Sequence, residues 1–549
     1  MIKLYISLLF LLVGNVSLAA PVPTITYTIS PLTKGAYQSV LIEMKVKGSA
    51  TGETRLAIPY ETELYRPQNQ IRIAEVINSS RHQVVAGDSS AYLIEHKPNA
   101  ILTIKYLIGN ALKDSLPGFN EVYAQMLTNK YFYLLGNYAW IIPQDSAAAH
   151  YDISLQWKGF PADWSYLSSH SANGARQTFR ASLADFHNAV YMGGDFRVHK
   201  ELIHGKPLYL GIRGGWSFSD AEVFDVVRKT VKAQRAYWND YDVSHYTVGV
   251  LPVKYADEKE RSMDGRGFSN TFITAGTNSK SLVIGDLVFL YNHELMHHWF
   301  GHVLKQAEPE NDFKWFHEGF TDYFAHAAML DQGLFDEQEF KQRINAIFSA
   351  YYSDSSHQWP NEKLAKNYWS SPAMKILPYQ RGLIFAFYLN EAINLHSNGK
   401  VSLKQVMEQL LADAKAQKRP FSVERFLQLL QVATGQDYTS LLDRFIAKGE
   451  FISLADWQQV TDKIVMGSAV VYDLGFTTDK NGIALNARIA SLTEGGDAQR
   501  VGLQVGDVMV GYSSNKQPTS YASITVKRGE EEVKLKYLPS RQILVPQLK

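Results

Sequence analysis

The stretch 291-YNHELMHHWFG-301 places His293, Glu294, His297 and His298 within six residues. On a helix, four residues advance about 6 Å and turn about 40° past a full revolution, so His293 and His297 project from one face and can share a metal. Glu294 lies beside that face. Two neutral imidazoles and a carboxylate leave Zn²⁺ an open position for water, whose pKa the metal lowers toward 7, and Glu294 stands where it can take the proton. His298 and His302 form a second pair four apart, but no carboxylate stands between them in the general-base position. They read as helix-surface histidines or as partners of the ligands.

A third ligand is required, and the candidate is Glu318 in 315-WFHEGFTDYF-324, which opens a second helical run after the polar loop 305-KQAEPENDF-313. Two helices joined by such a loop can form an antiparallel pair. Asp322 follows Glu318 by four residues and shares its face, where it could accept the second N–H of a ligating histidine and fix its tautomer. Alone, Glu318 and Asp322 would read as a solvated helix face; beside His293 and His297 they read as part of a metal site. An H-E-x-x-H site completed by a histidine further along the same stretch would need Gly and His three and six residues after His297, and those positions hold Phe300 and Val303.

Working outward, the 549 residues carry Lys+Arg 55 against Asp+Glu 54, which gives no bulk charge to draw the chain to nucleic acid or an anionic membrane. The opening MIKLYISLLFLLVGNVSLAA sets Lys3 before an apolar run from Leu4 to Val13 and small residues near Ala19, the pattern of a secretory signal peptide over residues 1–19. The run is too short to span a bilayer core of roughly 30 Å. No later segment approaches a span, so an exported protein, periplasmic or secreted, is expected. The chain holds no cysteine, so a metal site must be built from His, Asp or Glu.

From Thr24 to about Trp157 apolar and polar residues alternate, as in Ile42, Met44 and Val46 against Glu43, Lys45 and Lys47, and predict a β-sandwich domain over residues 20–165. The period then changes. Ser219 and Glu222 have capping-box spacing, and Val223, Val226 and Val227 form one helical face. Residues 166–455 are read as a mainly helical catalytic domain, which includes the apolar faces of SLKQVMEQLLADAK and SVERFLQLLQVA. Short β-like runs with frequent glycine follow, and residues 460–545 are read as a separate β-rich module. The fold class is therefore multidomain α+β.

The pair HELMHHW and WFHEGFTDYF, after a β domain and before a glycine-rich module, resembles the glycyl aminopeptidase family of gluzincins, relatives of aminopeptidase N with a thermolysin-like catalytic domain. Twenty residues separate His297 from Glu318, where the aminopeptidase N pattern has eighteen and a loop can absorb the difference. The resemblance implies one zinc ion per chain, a peptide or protein substrate, and a tyrosine that steadies the oxyanion. In LPYQRGLIFAFYL that tyrosine is Tyr379, with Arg381 in the place of a lysine and Gly382 retained. It also implies a glutamate for the substrate's α-amine shortly before the zinc helix. The corresponding stretch, MDGRGFSNTFITAG, has Ser269 near that place and Asp264 as its acid. Finally, DLGFTT and GGDAQRVGLQVGDVMVGY resemble a PDZ domain, whose Leu474, Gly475 and Phe476 loop would hold a peptide C-terminus. The expectation is an exported zinc metallopeptidase with ligands His293, His297 and Glu318, general base Glu294 and orienting Asp322. Its alternatives are an endopeptidase with the same site, or an inactive peptidase fold that binds through the PDZ-like module.

Overall fold

The computed structural model describes residues 22–549 except 34, 59–70, 86–87, 110–115, 145–149, 173, 354, 418 and 481–482; the expected signal peptide, residues 1–19, lies outside the described residues. The chain divides into two compact units. One comprises the chain up to Phe224 together with Val243–Ile284, the other Asp225–Asp242 together with Gly285–Lys549.

In the first unit, period-two patterning becomes sheet because alternate side chains fall on opposite faces. In Thr24–Thr33, Ile25, Tyr27 and Ile29 are wholly buried while the threonines between them face outward. The strand sits inside a six-stranded sheet ordered Arg176–Ala181, Tyr151–Trp157, Thr24–Thr33, Ala36–Lys47, Ile101–Gly109, Ile71–Ile77. Two four-stranded sheets contribute to the same core, in which Tyr27, Trp140, Trp157 and Phe186 pack together. The expected sandwich is thus built from three sheets.

Its boundary also differs from the expected 165. Arg176–Ala181 pairs with Tyr151–Trp157, and Val190–Gly194 pairs with Tyr131–Leu135, so the β domain runs on to Gly194. These strands complete ladders opened earlier, and no local sequence signal marks a ladder as incomplete. A five-stranded sheet then follows, ordered Arg197–Ile203, Lys206–Ile212, Tyr246–Val253, Thr271–Thr277, Met263–Phe268. Its central strand Tyr246–Val253 runs parallel to both neighbours and is buried throughout, which explains its continuous apolar run. Met263–Phe268, in the stretch expected to meet substrate, is an antiparallel edge strand.

Helix α1 (Asp220–Trp238) starts where the capping box predicted: the Ser219 amide donates to Glu222 Oε2 at 2.8 Å and the Glu222 amide to Ser219 Oγ at 3.2 Å. The second unit carries α2 (Ile284–Met296), α3 (Gly319–Asp331), α4 (Glu337–Tyr352), α5 (Pro372–His396), α6 (Leu403–Gln417) and α7 (Val423–Thr434). They enclose an aromatic core that includes Trp315, Phe316, Phe320, Phe324, Phe385 and Trp457. Helices α6 and α7 add the apolar faces read from sequence, Leu403, Met407, Leu410 and Leu411 on one, Phe426, Leu429 and Leu430 on the other.

Helices α3 and α5 approach until their backbones touch. A side chain at Gly382 would overlap the Trp315 carbonyl oxygen, and one at Gly319 would overlap Gly382 itself. Both positions need glycine because the crossing leaves no room for a Cβ.

The C-terminal residues form the β-rich module expected, with its own core of Phe476, Ile489, Leu503, Met509, Ile524 and Tyr537. Between the strands Val508–Ser513 and Ala522–Arg528 the described chain makes only turns, and the one helix within the module is the four-residue Asp497–Arg500. The outer ribbon Ile464–Tyr472 and Ser540–Leu548 is fastened to the helices: Asn345 of α4 both donates to and accepts from the backbone of Leu548, at 3.0 and 2.7 Å.

Candidate metal centre

Helix α2 is amphipathic on a four-residue spacing: Leu287, Tyr291 and Leu295 are buried, and the Asn292 carbonyl accepts from Gln234 of α1 at 2.6 Å. Immediately after His297 the α-helix gives way to wider turns. The His302 amide bonds to the His297 carbonyl at 3.1 Å and that of Leu304 to Trp299 at 3.0 Å, both five residues back. Such π-turns are uncommon and gather at functional sites.

Nε2 of His293 and Nε2 of His297 stand 3.1 Å apart, and Oε2 of Glu318 lies 3.3 Å from the first and 3.2 Å from the second. For ligand bonds of 2.0–2.1 Å, the edge of a tetrahedron is about 3.3 Å. The three atoms therefore form one face of a tetrahedral Zn²⁺ site, and among the described residues this is the one cluster of at least three His, Cys, Asp or Glu close enough to hold a metal.

Glu318 is buried, and burial works against its charge. The charge of His297, hydrogen bonds from both histidines and Lys314 outweigh that cost, so the carboxyl titrates far below its usual range. Asp322 accepts from Nδ1 of His293 at 2.6 Å, the contact inferred from their spacing. A proton fixed on Nδ1 leaves the Nε2 lone pair for the metal. Burial disfavours the His293 imidazolium, but Asp322 and Glu318 overcome this and raise its pKa well above the ordinary value.

Tyr379 of α5 lies against the site, its ring stacked on His293 with centroids 5.6 Å apart. Burial first, then the charge of Glu318 and contact with the Tyr368 phenol, keeps Tyr379 protonated far above the normal range. Arg381 is buried and turned into the protein: Nε donates to Tyr351 at 3.1 Å, and one terminal nitrogen donates to the carbonyls of His357 and Trp359 at 2.8 and 2.7 Å. It is a buried tie between segments.

The remaining histidine of the opening motif takes no part. Burial and the charges of Arg235 and His302 push the His298 pKa down to about 3, and it is absent from the ligand cluster. In the C-terminal module, the Gly475 amide donates to its own neighbour Asp473 at 2.7 Å, and Phe476 is paired opposite Leu492.

Sequence reasoning missed Lys314. This nearly buried cation donates to Oε1 of Glu318 at 3.0 Å and to Glu310 at 2.6 Å. The signal was present as Glu310, Lys314 and Glu318 recurring every four residues, a spacing that makes neighbours on a helix.

The tetrahedral spacing of His293, His297 and Glu318 fits one zinc ion, and by class the protein is a zinc metallopeptidase. The sequence profile of the M61 glycyl aminopeptidase family matches residues 286–375, the segment that carries all three ligands, and the resemblance read from the motifs holds. A solved structure described as an aminopeptidase N family protein from Idiomarina loihiensis superposes with a TM-score of 0.67 at 15% identity, over 95% of this chain and 98% of that one. The fold is therefore shared over nearly the full length. An M1 zinc metallopeptidase from Deinococcus radiodurans gives a TM-score of 0.47 at 15% identity, over 79% of this chain and 95% of that one. No curated protein sequence matches the chain.

Proposed function

We propose that the protein cleaves peptide bonds as an exported, aminopeptidase-like enzyme, with His293, His297 and Glu318 as ligands to one zinc ion, Glu294 as general base and Tyr379 as oxyanion donor. The observation that carries the reading is the convergence of the three ligand atoms within 3.1 to 3.3 Å of one another, with the Tyr379 ring stacked on one of them. When bound, zinc supplies a Lewis acid that polarises the scissile carbonyl and lowers the pKa of a water molecule.

The chain's own groups do the rest. Glu294 takes a proton from the attacking water as its oxygen bonds to the carbonyl carbon, then returns that proton to the amine nitrogen as the C–N bond breaks. Tyr379 donates a hydrogen bond to the carbonyl oxygen while negative charge develops there. Asp322 holds the His293 ring in register.

One observation favours the endopeptidase alternative. Across the strands Met263–Phe268 and Thr271–Thr277 the sole acidic residue is Asp264, and neither strand carries a glutamate. Matched peptides with free and acetylated N-termini separate the two: an aminopeptidase cleaves the free form alone, and equal turnover would reject it. In the same assay Glu294→Gln should lose about 10²- to 10⁴-fold in kcat with its zinc retained. Unchanged turnover would overturn the mechanism.

A further inference from the structure

The two oxygens of Glu318 have different partners. Oε2 faces both histidine nitrogens, at 3.3 and 3.2 Å, while Oε1 accepts from the Lys314 ammonium at 3.0 Å. Lys314 sits one helical turn before Glu318 and is 7% exposed, so this is a lodged cation rather than a surface lysine that happens to lie near. Its far side is fixed as well: Glu310, a further turn back and half exposed, accepts from it at 2.6 Å. The Tyr368 ring lies beneath the ammonium, 5.5 Å from Nζ to centroid.

We propose that Lys314 is a positioning residue that restricts Glu318 to single-oxygen ligation. A carboxylate ligand can turn so that both oxygens bind the metal, which consumes the position that water and the substrate carbonyl require. The ammonium holds Oε1 back and leaves Oε2 alone to complete the triangle. Glu310 anchors the ammonium from solvent, and because Lys314 and Glu310 carry opposite charges, the pair shapes the site without altering its net charge. The inference rests on the zinc site and is independent of whether the enzyme cuts at a terminus.

The test reads the metal itself. Wild-type protein, Lys314→Met and the charge-balanced double variant Lys314→Met/Glu310→Gln are loaded with Co²⁺ for visible spectra and with Zn²⁺ for chelator competition. With Oε1 released, both variants should show the weaker visible bands of a higher coordination number. Wild-type spectra in both variants would overturn the proposal, even if zinc affinity or thermal stability changes. Recovery in the double variant would also overturn it, because local net charge would then be the cause. Lys314→Arg supplies a variant that keeps a cation in the slot, and it should recover most of the wild-type spectrum; failure to do so in a folded protein counts against positioning by charge-assisted hydrogen bonding.

Discussion

At the scale of single residues, the site is set by which atom each group offers and to whom. His293 holds its proton well above the ordinary imidazole range, because Asp322 and Glu318 outweigh the penalty of burial. That proton must leave before Nε2 can bind a metal. The raised folded-state pKa therefore stabilises the metal-free fold below the unfolded value of about 6.5, and the gain is lost as pH climbs through the folded value. Zinc affinity runs the other way, falling about tenfold for each pH unit below the His293 pKa. Chelator competition at several pH values checks this, and an affinity that stays flat from neutrality downward would refute it. His293, Glu294, His297, Glu318 and Asp322 were legible in the sequence because each is tied to another by a spacing of one to four residues, and helical geometry converts such spacings into shared faces. The Tyr379 position was legible through resemblance alone, since nothing local connects it to a histidine more than eighty residues earlier.

At the scale of elements, the crossing of α3 and α5 brings Glu318 and Tyr379 to the same place. Gly319 and Gly382 set the distance, because neither backbone admits a Cβ there. Replacing Gly382 with alanine forces the helices apart, at a cost of about 1–3 kcal/mol or more for overpacking. It should also lower kcat, since Tyr379 lies one turn from the contact. Denaturant unfolding and steady-state kinetics measured together check the pair of effects; a variant with wild-type stability and kcat would show that the crossing is not rigid. A glycine in a tyrosine motif thus has a packing reason, which the sequence displays as a letter and the crossing explains. Arg381 makes the complementary point. It stands two residues after Tyr379, yet its hydrogen bonds run to Tyr351, His357 and Trp359.

At the scale of the whole molecule, the C-terminal ribbon is part of the helical unit. Ile464 is buried within the helical core, and Leu548 packs against it. Ile464→Ala should therefore destabilise the zinc-bearing helices by about 2–5 kcal/mol, although the residue belongs to the C-terminal ribbon. Melting followed by tryptophan fluorescence and by zinc release checks this, and an unchanged zinc-release temperature would mean that the module is energetically separate. The sequence by itself determined the candidate ligand cluster, the carboxylate of Glu294 within its motif, the alternation of the β domain and the change to helices, because all of these are periodicities within a few residues. Only the tertiary structure decided that the β domain extends to Gly194, that Gly319 and Gly382 meet, that the Gly475 amide donates to Asp473, and that the two oxygens of Glu318 are divided between metal face and lysine. Strand pairing, helix crossing and the choice of oxygen are set by contacts between residues distant in the chain or by side-chain orientation, and neither leaves a repeat along the chain to read.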